Sequence, residues 1–167
     1  SKPENKLRAV KQYADAVENV NAGQMLDTLS EITASSEEEY LEMAEGKTSG
    51  LFTAAVVIGA ILGNGKEEQI NALHDFARKA AIAFQLQDDI MDISIHLRKG
   101  HELCSDIKQG KKTLLIIKAL ELGNEEDKSF IKSVLGKPLS KEEAQKAVDI
   151  LYTTGAVQYV QDLAQQM

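Results

Sequence analysis

The stretch Phe84-Gln85-Leu86-Gln87-Asp88-Asp89-Ile90-Met91-Asp92 decides how this 167-residue chain is read. In a helix, Gln85, Asp88, Asp89 and Asp92 fall at i, i+3, i+4 and i+7 and share one face of roughly 100°. Working outward, Ile70, Leu73, Ala77, Ala80, Ala81 and Phe84 form the buried stripe expected of the same helix from Lys66 onward. An apolar stripe thus anchors an acidic end. Carboxylates so close together repel one another and raise each other's pKa unless a cation sits among them. Hard oxygen ligands suit magnesium, which is held by one or two carboxylates together with phosphate oxygens. A magnesium and diphosphate site is the simplest functional reading. For an isolated acidic pattern an ordinary solvated face is the better one, so the rest of the chain has to decide.

Composition narrows the choice. The chain is 43% hydrophobic and 27% charged with a net charge of -7, which argues against general nucleic-acid binding or attraction to anionic membranes. Its length suggests a single domain, 1–167, large enough for a sizeable core. Cys104 is the sole cysteine, which rules out an internal disulfide or a cysteine metal cluster and fits a reducing, cytoplasmic setting. The longest apolar run, Leu51 to Leu62, is broken by Thr53 and Gly59 and is too short to span a bilayer.

The pattern is helix after helix. Pro3 and Pro138 are the only prolines, strand signals are scarce, and an all-α fold follows. A first helix is expected over Glu4 to Ser30, with Ala9, Val10, Tyr13, Ala14, Val17 and Val20 on its apolar stripe. Gly23 within it costs about 1 kcal/mol relative to alanine and marks either a close approach or a kink. Ser36 with Glu39 spells a capping box, and Asn64-Gly65 ends the segment that follows. Asn124 and Ser140 are set to cap two late helices, the second broken at Thr153-Thr154-Gly155. Between Ser94 and Lys112 the apolar period fails, leaving a cation-rich loop with one helical turn. Lysines there would supply point charges to phosphate oxygens, although a solvated loop explains the charge equally well.

Four motifs then occur in order. They are Gly23-Gln24-x-x-Asp27; Tyr40 with Lys47-Thr48-x-x-Leu51-Phe52; Phe84-Gln85-x-x-Asp88-Asp89-x-x-Asp92; and Ser105-Asp106-x-x-x-Gly110-Lys111-x-Thr113. Together they resemble the C-terminal half of a trans-isoprenyl diphosphate synthase of the polyprenyl synthetase family. The run Asp106 to Thr113 is most similar to archaeal geranylgeranyl diphosphate synthases, whose product feeds ether-lipid synthesis.

The resemblance implies half of the isoprenoid synthase helical bundle, completed by a partner chain. It implies magnesium as cofactor, with Asp88, Asp89 and Asp92 as the second aspartate-rich motif, Asp88 binding directly. Lys47 and Lys111 would hold an allylic diphosphate, while Thr48 and Gln85 direct oxygen dipoles at the allylic cation that isopentenyl diphosphate attacks. Gln24 and Asp27 would line the cavity. Phe84 would help to wall it, whereas Phe52 is better read as core packing.

The departures are equally specific. Gly100-His101 stands where the family usually has Gly-Lys, so His101 would contact diphosphate only when protonated, below a pKa of about 6.5. Cys104 replaces a residue that is commonly glycine. Asp88-Asp89 is the only Asp-Asp pair, and Arg8 and Arg78 are the only arginines before it, so the first aspartate-rich motif and its arginines are missing. The expectation is a heteromer, in which an N-terminal-half chain pairs with this one as a heterodimer or, by pairing of two such units, a heterotetramer. The other reading is a non-catalytic regulatory subunit of a complete prenyl diphosphate synthase.

Overall fold

Where the sequence offers a cap, a helix begins. Ser36 Oγ accepts from the Glu39 amide at 3.2 Å while the Glu39 carboxylate accepts from the Ser36 amide at 2.8 Å. Ser140 and Glu143 repeat this box, and the Asn124 side chain accepts from the Asp127 amide at 2.9 Å. A computed structural model of the chain describes residues 2–30, 36–94 and 103–167, and among them there is no strand.

In chain order the helices are α1 (Pro3–Ser30), α2 (Glu37–Ala44), α3 (Gly50–Leu62), α4 (Glu67–Asp92), α5 (Ser105–Gln109), α6 (Leu114–Leu122), α7 (Glu125–Val134), α8 (Lys141–Thr153) and α9 (Ala156–Gln166). A π-helical turn, Glu45–Ser49, joins α2 to α3 without a break. The resulting run Glu37–Leu62 is long and apolar enough to cross a membrane by length and composition alone. Here α1 and α4 pack against it. Gly155, at φ +82°, separates α8 from α9 as its sequence suggests.

The main core lies in the second half of the chain. Leu86, Ile90 and Ile93 of α4 and its following turn meet Leu114 to Ile117 of α6, Ile131 of α7, Leu151 of α8 and Val160 of α9, all buried. A smaller cluster of Val57, Ile61 and Ile70 joins α3 to α4.

Two expected stripes are corrected. Along α1 the buried residues are Ala9, Ala16, Gly23 and Asp27, while Tyr13 is 58% exposed and Val10, Ala14 and Val17 also face outward. Small residues seven apart let α1 lie close on α3 and the π turn, which turns the larger apolar side chains away. On α4, Ile70, Ala77 and Ala81 are buried, but Leu73, Phe76 and Phe84 are exposed. Phe52 on α3, expected in the core, is 49% exposed.

Gly23 is a point of close approach. A Cβ there would stand 2.7 Å from the Gly46 carbonyl carbon and 2.9 Å from Lys47 Cα, and nearer still to the Lys47 amide nitrogen.

Lys118 ties α6 to α2 and α9. Its Nζ lies 2.6 Å from Glu37, 2.7 Å from Glu121 and 4.4 Å from the centre of the Tyr159 ring. Partial burial opposes ionisation of Glu37, yet hydrogen bonds from Lys118 and Tyr159 outweigh it and hold the carboxyl below its ordinary range. A folded-state pKa lower than the unfolded one stabilises at neutral pH and ceases to do so as pH falls through the folded value. Lys118→Met is expected to cost about 2 kcal/mol near pH 7, because it strips a half-buried carboxylate of its cation. In urea titrations the gap from the parent chain should narrow as the pH falls through the carboxylate range. A gap independent of pH would point to lost packing instead.

Candidate active site

The last two turns of α4 carry Gln85, Asp88 and Asp89 to one small cavity, shared with Asp27 of α1 and Lys47 of the π turn. Asp106, Lys111, Lys112 and Thr113 close its other side. Asp89 lies deepest, 4% exposed. Its Oδ2 accepts from the Tyr40 hydroxyl at 2.7 Å and its Oδ1 from Gln85 Nε2 at 2.8 Å. Gln85 Oε1 in turn accepts from Thr48 Oγ1 at 2.6 Å. Burial pushes the Asp89 carboxyl up to about 7; the bonds from Tyr40 and Gln85 resist the rise, and Asp106 and Asp88 add to it. The Tyr40 phenol is raised as well, first by burial and then by Asp89.

Asp92 performs a different task. Its Oδ1 accepts from the amide and hydroxyl of Ser105, and its Oδ2 from the Asp106 amide at 3.0 Å. The third carboxylate of the acidic face therefore caps α5 and binds it to the end of α4. Cys104, just before that cap, has φ +59°, a conformation that glycine adopts without strain. Its thiol is pushed up to about 12, chiefly by burial and then by Asp92, which leaves it unreactive.

The lysines are paired within the cavity. Lys47 Nζ meets Asp27 Oδ2 at 2.5 Å, and Gln24 Nε2 reaches the same oxygen at 3.4 Å. Lys111 Nζ meets Asp106 Oδ1 at 2.8 Å. Burial is the main influence on Asp106 and raises its carboxyl despite Lys111, with Asp92 and Asp88 adding to the effect.

Of the residues singled out in the sequence, Asp27, Lys47, Gln85, Asp88, Asp89 and Lys111 come together, with Thr48 bonded to Gln85 and Gln24 at the margin. Phe84 stands 67% exposed, one turn before Asp88, and Asp92 lies behind the cavity. His101 falls outside the described residues. Tyr40 and Asp106 received no role from the sequence, although both stand inside the quoted motifs. The signal for Tyr40 was its place two turns ahead of Lys47 on a helical run.

Among the described residues, no three His, Cys, Asp or Glu side chains converge to hold an ion by themselves. The donors around the cavity are nevertheless hard carboxylate oxygens interleaved with lysines. That set fits magnesium, whose usual environment is one or two protein carboxylates completed by phosphate and water. Asp88 is the side chain best placed to hold it, and the lysines match the phosphates that would share it.

Residues 1–151 match the family model described as polyprenyl synthetase. The chain belongs to the polyprenyl synthetase family. Within that family it is 38% identical over 158 residues to a short chain isoprenyl diphosphate synthase of Methanothermobacter thermautotrophicus, covering 93% of this chain and 48% of that protein. The geranylgeranyl pyrophosphate synthetase of Pyrococcus horikoshii superposes with a TM-score of 0.90 at 35% identity, over 99% of this chain and 51% of that one. A geranylgeranyl pyrophosphate synthase of Corynebacterium glutamicum, solved with isoprenyl diphosphate and magnesium, gives 0.91 at 27% identity, over 99% and 48%. This polyprenyl synthetase chain thus spans about half the length of the relatives it matches.

Proposed function

We propose that this chain is one subunit of a heteromeric trans-prenyltransferase that condenses isopentenyl diphosphate with an allylic diphosphate, the product being geranylgeranyl diphosphate. The observation that carries this reading is the convergence of Asp88, Lys47 and Lys111 on one cavity beside the Thr48–Gln85–Asp89 chain. The preference for geranylgeranyl diphosphate rests on likeness to archaeal synthases of that name.

In this reading Lys47 and Lys111 exchange their carboxylate partners for the oxygens of the allylic diphosphate. Magnesium bound by Asp88 would neutralise charge on the departing diphosphate. The allylic carbon–oxygen bond breaks with its electron pair leaving on diphosphate. The double bond of isopentenyl diphosphate then forms the new carbon–carbon bond, and transfer of a proton to the released diphosphate restores an alkene one C5 unit longer. Thr48 faces the cationic carbon with lone pairs and offers no nucleophile strong enough to trap it.

The remaining half of the fold, with the first aspartate-rich motif and the isopentenyl diphosphate contacts, comes from a second chain. Support comes from the exposure of the large apolar side chains of Phe52, Leu73, Phe76 and Phe84. The test is prenyl transfer by this chain alone and mixed with an N-terminal-half polypeptide from the same source, with magnesium and both diphosphates. Activity in the mixture only is expected. Activity of this chain alone, or silence in a stably assembled mixture, would overturn the proposal.

A further inference from the structure

We propose that Tyr40 and Asp89 are positioning residues that fix the direction of a hydrogen-bond relay, so that the Thr48 hydroxyl presents only lone pairs to the reacting carbon. The inference deepens the prenyl-transfer reading and rests on it. Four groups lie in sequence: Tyr40 OH to Asp89 at 2.7 Å, Asp89 to Gln85 at 2.8 Å, and Gln85 to Thr48 at 2.6 Å. Each junction has a polarity, and the polarity is not arbitrary.

Both Asp89 oxygens stand as acceptors, Oδ2 for the Tyr40 hydroxyl and Oδ1 for Gln85 Nε2. Gln85 must therefore turn its NH2 group toward Asp89, because the opposite amide orientation would set carbonyl oxygen against carboxylate oxygen. With its nitrogen committed, Gln85 offers Oε1 to Thr48. A hydroxyl has one proton, so once Thr48 donates it to Gln85, the other directions around Oγ1 hold lone pairs. A carbocation needs that partial negative charge and would be repelled by an O–H proton.

Tyr40 completes the device. Asp89 is 4% exposed and Tyr40 is 3% exposed, so water does not compete freely for the second carboxylate oxygen. The phenol pins Oδ2 and stops the carboxylate from turning away from Gln85. Tyr40 comes from α2, Thr48 from the π turn and Gln85 and Asp89 from α4, so the relay also sets the spacing of those three elements.

Two measurements test this. In the 15N-labelled chain, the Gln85 side-chain amide should exchange with solvent at least about tenfold more slowly than that of exposed Gln87, and Tyr40→Phe should abolish the difference. In the assembled enzyme, Tyr40→Phe should lower kcat about tenfold with KM for the allylic diphosphate within about twofold. The same change in a Thr48→Val background should cost nothing further, because the relay then has no terminus. Thr48→Ser should keep most of the rate. Gln85 exchange equal to that of Gln87, or Tyr40 and Thr48 effects that multiply, would overturn the relay. An inactive mixture would remove the prenyl-transfer reading, and the exchange measurement would still decide the relay.

Discussion

Asp88→Ala is expected to reduce prenyl transfer by the assembled enzyme about 10³-fold, the order of loss seen when a charge-stabilising group is removed from a reacting centre. The three carboxylates of the acidic face are not equivalent. Asp89 has both oxygens engaged by Tyr40 and Gln85, and Asp92 caps α5 outside the cavity. Asp88 lines the cavity together with Lys47, Lys111 and Lys112. Thermal unfolding of the Asp88→Ala chain should differ little from the parent, because alanine is a good helix former and loses no core contact. Asp92→Ala should behave oppositely, lowering stability by about 1 kcal/mol through loss of a cap, with a smaller effect on rate. Retention of more than about a tenth of the activity by Asp88→Ala would remove that residue from the chemistry.

Gly23→Ala is expected to destabilise the chain by about 3 kcal/mol, against a helix-propensity gain of about 1 kcal/mol that would favour alanine at an open position. Sterics win because the obstructing atoms are backbone. A Cβ at 2.7 Å from the Gly46 carbonyl carbon and 2.9 Å from Lys47 Cα has no flexible side chain to displace. Relief requires α1 to move off the π turn, and that movement also separates Asp27 from Lys47, which now meet at 2.5 Å. Urea unfolding gives the first effect, and a raised KM for the allylic diphosphate in the assembled enzyme gives the second. A Gly23→Ala chain more stable than the parent would show that α1 yields without strain.

Much of this was legible from the sequence because it is local. The acidic face of α4 follows from helical spacing, and the caps at Ser36, Asn124 and Ser140 follow from side chains within three residues of the amides they serve. Four motifs in register contain most of the residues that line the small cavity. What escaped was relational. Periodicity finds an apolar stripe on α1 or α4 but does not say which neighbour covers it, so it places Tyr13, Leu73 and Phe84 inward although they lie outward. The Tyr40–Asp89 bond joins residues 49 apart, and the diversion of Asp92 to α5 depends on the return of the chain after α4. The sequence Glu45-Gly46-Lys47-Thr48-Ser49 carries no mark of a π turn beyond its glycine.

That turn makes α2 and α3 a single rod with a fault in its winding. An α-helix advances about 100° per residue, and a π turn absorbs roughly one residue more than the regular winding would hold. Removing one residue between Glu45 and Ser49 would let the rod wind regularly and leave α3 close to its present orientation against α2. Thr53, Val57 and Ile61 would keep the faces they now bury, while Lys47 and Thr48, inside the turn, would lose their simultaneous aim at Asp27 and Gln85. The extra residue therefore serves the cavity and not the packing of α3, and a one-residue deletion there should disturb the bonds of Lys47 and Thr48 more than the stability of the chain.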